Sequence, residues 1–128
     1  MAASGVLTTI RALGRDHGLR PFHEGDTFYR HGDPGDALYA VAEGTVRLRW
    51  NSGGGFEDIG PGGCFGLGAL VHPEHTHHGT ARALSDGSLL VMTRPAFLFA
   101  LQELPMFALE IIDDLEQRLQ RHKRALPR

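Results

Sequence analysis

The apolar positions of this chain change period twice. In SGVLTTIRAL, Val6, Leu7, Ile10 and Leu13 recur at helical spacing behind Ser4, a capping residue, which predicts a short amphipathic helix ending near Gly14. From Leu19 to Thr93 the signal becomes short runs divided by glycine and aspartate. In TVRLRW, Val46, Leu48 and Trp50 face one way and Thr45, Arg47 and Arg49 the other, the pattern of a strand buried on one side. ALYAVAEG, SLLVMT and TARAL predict further strands. Gly25-Asp26, Gly32-Asp33-Pro34-Gly35-Asp36, Asn51-Ser52-Gly53 and Asp86-Gly87 supply turn chemistry between them.

After Thr93 the helical period returns. Pro95 and Pro105 each suit a first helical turn, where a missing N–H costs nothing. PAFLFALQEL predicts a short helix, and a longer one follows from about Met106 to Lys123. Along the longer helix Ala108, Ile112, Leu115, Leu119 and His122 form one stripe, with Ile111 beside it, close to a heptad seam. Taken alone, such a stripe reads more often as intramolecular core than as an interface. The whole pattern predicts a mainly β fold with flanking helices: an antiparallel β-roll or jelly-roll barrel between a short N-terminal helix and a long C-terminal one.

Composition narrows the class without naming a function. With 128 residues, 41% hydrophobic and 22% charged, the chain has the balance of a single globular domain, spanning residues 1–128. A formal charge of −2 gives no global reason to expect nucleic acid. The single cysteine, Cys64, has no internal disulfide partner, which suits a reducing compartment. With neither a signal-peptide layout nor a long apolar run, the expectation is a soluble cytoplasmic domain without a membrane partner.

Three segments carry the functional signal: FYRHGDPGDALYAVAEGTVRL at 28–48, GPGGCFGLGAL at 60–70 and THHGTARALSD at 76–86. Gly32-Asp33-Pro34-Gly35-Asp36, Leu38-Tyr39, Glu43-Gly44-Thr45-Val46, Gly62-Gly63-Cys64-Phe65-Gly66 and Thr80-Ala81-Arg82-Ala83 follow one another in this order. In that order the chain resembles the cyclic nucleotide-binding domain family, which includes the catabolite activator proteins, over roughly residues 15 to 123. The resemblance implies a phosphate-binding cassette at Gly63, Phe65, Gly66, Leu67, Gly68 and Ala69, closed by His77, His78, Gly79 and Thr80. It also places the end of the long helix, Arg118 to Lys123, over a purine base, with Arg118 and His122 as the facing residues.

Glycines Gly62, Gly63, Gly66 and Gly68 would let backbone N–H groups approach an anion, although glycines at a barrel rim also serve plain tight turns. The family's two charged anchors are not matched. Counted from Phe65-Gly66, the glutamate that bonds the ribose falls on Leu67. Counted back from Thr80, the arginine that neutralises the phosphate falls on His77. Weak or absent binding of cyclic AMP and cyclic GMP is therefore expected, and the ligand is a cyclic nucleotide, another small anion or none.

Four of the chain's eight histidines, His72, His75, His77 and His78, stand in HPEHTHHG at 72–79. Three readings stay open. The cluster is a solvated loop, an anion pocket in which His77 and His78 hold phosphate or carboxylate at low pH, or a metal site. For the metal reading, His75 and His77 share a face if the segment is extended. Cys64 reads as buried packing, or alternatively as a redox or haem-ligating thiol. A cupin barrel is the alternative fold. No nucleophile elbow, zinc-protease or P-loop motif supports an enzyme.

For output, the resemblance implies a homodimer through the Ile112–Leu115–Leu119 seam. With the chain ending at Arg128, the expectation is no DNA-binding domain, no nucleic-acid partner, and action through a protein partner. Arg121-His122-Lys123-Arg124 reads as a complement to the helix C-terminal dipole. A pure protein-interaction module on the same fold is the competing function.

Overall fold

The computed structural model describes residues 19–50 and 54–125, so the expected N-terminal helix and the Asn51-Ser52-Gly53 turn lie outside the described residues. The chain runs through β1 (Arg20–Phe22), β2 (Thr27–Tyr29), β3 (Ala37–Glu43), β4 (Val46–Arg49), β5 (Phe56–Ile59) and β6 (Cys64–Phe65). A one-and-a-half-turn helix, α1 (Leu67–Val71), follows. Then come β7 (Thr80–Ala83), β8 (Gly87–Thr93), α2 (Arg94–Glu103) and α3 (Pro105–Ala125).

Two four-stranded sheets form among the described residues, in the orders β1-β8-β3-β6 and β2-β7-β4-β5, and every pairing is antiparallel. The β-roll is as expected, but the sheets do not close into a barrel. Edge strands as short as β6, with two residues paired only to β3, cannot carry a ladder round to the other sheet.

The first sheet is covered on both faces. In β3 and β8, Val41, Leu89 and Val91 look into the gap between the sheets, where they meet Val46, Ile59, Phe65 and Ala81. Leu38, Ala40, Leu90 and Met92 look the other way, into a second cluster with Phe97, Ala100, Phe107 and Ile111 from α2 and α3. Double-sided burial is why ALYAVA and SLLVM are apolar runs rather than alternations. The second sheet covers one face only, so β4 alternates: Val46 is buried, while Arg47 and Arg49 look out. Trp50, assigned by pattern to the buried side, sits just past the strand end and is exposed.

The two C-terminal helices begin close to the two prolines. The Arg94 N–H donates to the Asp36 carbonyl at 2.7 Å, fastening the start of α2 to the Gly32–Asp36 turn. The side of α3 that packs inward carries Phe107, Ile111, Asp114 and Arg118. This corrects the core reading of the stripe. Ile112, Leu115 and Leu119 lie on the neighbouring flank, about a quarter turn round the helix, 60%, 39% and 48% exposed. Two charged residues occupy the inward face, so the strongest apolar periodicity belongs to the outward one. No single helix among the described residues is long and apolar enough to cross a membrane.

Candidate functional site

The cassette begins where β6 ends. Tyr39 pairs with Phe65 and Ala40 with Cys64, which holds Gly66 against β3. Gly66 has φ 88°, and a Cβ there would lie 2.9 Å from the Tyr39 ring and 3.2 Å from the Ala37 carbonyl oxygen. Only glycine turns the chain from strand into α1 at that point. Within α1, Ala69 and Leu70 are buried and Gly68 is exposed with open space above it. Leu67, at the expected glutamate position, packs against the Leu38–Met92–Phe107 cluster beneath the helices.

The histidine loop is zipped to the Gly32–Asp36 turn. His77 N–H donates to the Asp33 carbonyl at 2.9 Å, Gly32 N–H to the His77 carbonyl at 2.8 Å, and Gly35 N–H to the His75 carbonyl at 2.9 Å. A bridge between Pro34 and Thr76 lies within the same zipper. The clamp keeps the His75 and His77 rings apart from the His72 and His78 pair. His77 turns inward, is 4% exposed, and stacks face to face on Tyr29 with centroids 3.5 Å apart and planes 5° apart. Its Nε2 lies over Gly35 so closely that a methyl there would collide with it, which accounts for that motif glycine. His75 adopts φ 53°, so the segment is not extended there, and its Nδ1 lies 3.0 Å from the Ala69 carbonyl oxygen. His78 is exposed, with the His72 ring 4.8 Å and the His31 ring 6.0 Å away.

His72, His75, His77 and His78 are therefore not brought together as a ligand set, and no group of three His, Cys, Asp or Glu able to hold a metal stands among the described residues. The shared face expected for His75 and His77 required an extended backbone, which the left-handed His75 does not have. The rest of the closing loop is held by bonds from main-chain N–H groups to side chains. Gly79 N–H donates to His31 Nδ1 at 3.0 Å, and His31 N–H donates to Thr80 Oγ1 at 3.2 Å.

Burial lowers the His77 pKa from its ordinary value; Asp33 opposes the shift and His78 adds to it. The ring at the expected arginine position is accordingly neutral near pH 7. It offers a buried stacking surface instead of a fixed charge.

The far end of α3 supplies the second half of the site. Arg118 Nε and Nη2 donate to the two carboxylate oxygens of Glu57 at 2.8 and 3.0 Å, a bidentate pair. Its Nη1 donates to the Cys64 carbonyl at 2.8 Å and to Asp114 Oδ2 at 3.3 Å. The Arg118 and Glu57 side chains are only 14% and 11% exposed. Burial works against both charges, but the mutual bond and attraction outweigh it, so the guanidinium pKa is raised and the carboxyl pKa lowered. His122 Nε2 lies 3.5 Å from the same Glu57, and its ring meets the edge of Trp50 at 5.1 Å.

Arg118 and His122, the residues expected over a base, thus converge on one carboxylate of β5. Cys64 is buried with its thiol toward Asp114 Oδ2 at 3.4 Å. Burial and then Asp114 push its pKa up, the opposite of a reactive thiolate, so packing is the role the surroundings support.

Glu57 and Asp114 were not singled out from the sequence. A signal for Glu57 exists: in FEDI, period two puts it on the same face as Ile59, which is buried.

The comparisons with known proteins fit this geometry. Residues 19–103 match the cyclic nucleotide-binding domain. A curated relative, the cyclic AMP receptor protein of Thermus thermophilus, is 36% identical over 104 residues, covering 78% of this chain. The chain spans about half of that relative's length, 48%. The crystal structure of the catabolite activator protein of Thermus thermophilus superposes with a TM-score of 0.71 at 30% identity, covering 94% of this chain and 57% of that one. The N-terminal domain of a Streptomyces coelicolor transcriptional regulator gives 0.61 at 28% identity, covering 93% and 83%. With the Gly32–Asp36 turn, the glycine-opened α1 and the closing β7 all inside the matched residues, the chain belongs to the cyclic nucleotide-binding domain family.

Proposed function

We propose that this chain is a small-ligand-sensing regulatory domain whose affinity for cyclic AMP and cyclic GMP is weak or absent. The observation that carries the reading is His77, buried and stacked on Tyr29 where the resemblance calls for an arginine. An arginine would offer a permanent charge and a planar fork of donors, whereas a neutral imidazole offers one donor. Leu67 compounds the loss, because a half-buried leucine packed against the core accepts nothing from a ribose hydroxyl. Leaving one such hydroxyl unpaired costs roughly 1–3 kcal/mol, and losing the charge as well brings the deficit to about two decades of affinity or more.

Calorimetry at neutral pH tests this with both nucleotides. The wild type is expected to show no micromolar site, and a Leu67→Glu/His77→Arg variant is expected to gain heat of binding. A tight, saturable isotherm for the unaltered chain would defeat the reading.

The output we propose is a homodimer formed along Ile112, Leu115 and Leu119, acting on a protein partner. The outward exposure of all three supports it. One of the similar structures is named as part of a transcriptional regulator, which weighs against the expectation that nucleic acid plays no role in the output. Light scattering over a concentration series is expected to report the dimer mass; a monomer at high concentration would overturn the dimer.

A further inference from the structure

On the outer face of the second sheet, we infer a binding site for a small multivalent oxyanion, a phosphate ester or a di- or tricarboxylate, gripped by Arg49 and Arg82. The site shares only Thr80 with the cassette residues and looks away from the gap between the sheets. Val46, Ala81 and Ala83 are buried, so the alternation of β4 and β7 sends Arg47, Arg49, Thr80 and Arg82 outward. Register then builds two rows. Arg82 stands opposite Arg47, which stands opposite Asp58; Thr80 stands opposite Arg49, which stands opposite Phe56. Over this face lies a groove of about 240 Å³, lined among others by Arg47, Arg49, Arg82, Thr80, Glu24 and Leu84.

The charge arrangement is unfavourable as it stands. Like charges directly opposite across a ladder destabilise a sheet, and Arg82 faces Arg47 in that way. Asp58 takes up only one of the three guanidiniums, holding Arg47 at 2.8 and 3.0 Å. Arg47 also lies 4.0 Å above the exposed Phe56 ring, so its place is fixed from two sides.

Arg82 has a single long bond, 3.3 Å from Nη2 to the Gly25 carbonyl. The Arg49 guanidinium makes no hydrogen bond among the described residues: it lies 5.7 Å from the Phe56 ring centroid and feels the Asp58 charge without bonding to it. Both therefore keep most of their donors for a ligand. Thr80 Oγ1 accepts from His31 N–H and leaves its own hydroxyl proton to donate.

Guanidinium donors match phosphate and carboxylate oxygens. A volume of about 240 Å³ is smaller than the ~300–1,000 Å³ of sites that enclose drug-sized ligands. The groove fits the anionic head of a ligand rather than a whole nucleotide. Glu24, the one carboxylate in the lining, adjoins Gly25 at the Arg82 end, so the anion is favoured on the side of Arg82 that faces Arg49.

The test titrates the full chain at low ionic strength with pyrophosphate and, separately, with citrate, by calorimetry and by NMR of the arginine Nε–H signals. The expected result is a saturable one-to-one isotherm for at least one probe, with shifts at Arg49 and Arg82. An Arg49→Gln/Arg82→Gln double variant, its fold checked by circular dichroism, is expected to bind at least about tenfold more weakly. An Arg20→Gln control, away from the groove, is expected to bind as the wild type does. The two probes distinguish phosphoryl from carboxylate selectivity. Binding that never saturates, equal affinity in the double variant, or an equal loss in the Arg20 control would each overturn the site. Should the double variant not fold, shifts confined to residues outside the groove in the wild type overturn it equally.

Discussion

His77 and Arg118 are both polar side chains withdrawn from water, one from the loop beside α1 and one from the last turns of α3, and the fold treats them in opposite ways. His77 gives up its charge: it lies flat on Tyr29 with one turn of backbone zipped over it, and burial favours the neutral ring. Arg118 keeps its charge and is surrounded by acceptors, two oxygens of Glu57, one of Asp114 and the Cys64 carbonyl. The difference follows from the groups themselves. Imidazole can shed its proton within the physiological range and guanidinium cannot, so the arginine must carry its counter-charge with it. One consequence is that the loop loses its stabilisation as the buried imidazole takes up a proton, whereas the helix junction loses its own only where the Glu57 carboxylate is protonated, below the ordinary carboxylate range. Another is that the helix junction depends on its carboxylates, whereas the loop depends on close packing.

Removing the counter-charge is expected to have the largest effect. A Glu57→Ala substitution strands Arg118 with only Asp114 and a carbonyl, and breaking a buried pair from one side costs roughly 3–5 kcal/mol. Asp114 remains, so the lower end, about 3 kcal/mol in urea unfolding, is the expectation. A loss under 1 kcal/mol would mean that the bidentate pair is not what fixes α3 to β5. At the other region the corresponding test is steric. Gly35→Ala drives a methyl into His77 Nε2 and is expected to cost about 1–3 kcal/mol, while the same substitution at Gly68, where nothing lies within 4 Å, should not overpack anything.

The two regions also differ in how far the sequence discloses them. The Gly32–Asp36 turn, the Phe65-Gly66 start of α1 and the closing β7 are local motifs, and their order carries the fold. Strands β3 and β8 show as apolar runs and β4 as an alternation because each pattern reports how many faces are covered. Strand β5 gives only a faint one, the period-two link from Glu57 to the buried Ile59. FEDI is four residues long with adjacent acids, and Glu57 points inward only because a cation from a helix 61 positions away meets it. The same cation misleads the reading of α3. With Asp114 and Arg118 on the packed side, the apolar stripe through Ile112, Leu115 and Leu119 is the free one. The scattering of the histidines was hidden as well, since it depends on a single left-handed residue, His75, and on main-chain bonds to a distant turn.

The pH contrast sharpens the comparison at a smaller scale. In the unfolded chain the His77 imidazole takes up a proton near pH 6.5, and in the fold burial lowers that value, against Asp33 and with His78. Between the two values the unfolded state binds more protons. The contribution of His77 to stability is therefore complete above about pH 6.5 and is lost as the pH falls through the lower folded value. A His77→Phe variant keeps a ring against Tyr29 and has nothing to protonate, so its stability is expected to fall less steeply on acidification than that of the wild type. Parallel unfolding curves for the two proteins from pH 7.5 downward would mean that burial of His77 does not carry the acid sensitivity.

The smallest effect on the fold belongs to the outward face of the same helix that Arg118 anchors. Leu119 is 48% exposed and lies one position from a side chain tied to two strands, β5 and β6. A Leu119→Ser substitution on such a surface is expected to change the stability of the isolated chain by no more than about 0.5 kcal/mol. If the seam joins two copies, the same change removes apolar area from both partners at once, because a twofold interface repeats each residue. Light scattering should then show dissociation at a concentration where the wild type stays paired, with the melting curve of the dilute protein unmoved. Glu57 ties α3 to the second sheet through Arg118, with Asp114 holding the same guanidinium, and the neighbouring apolar flank is positioned by that tie. A dimer that survives Leu119→Ser but dissolves on Glu57→Ala would place the control of association in the latch instead of the seam.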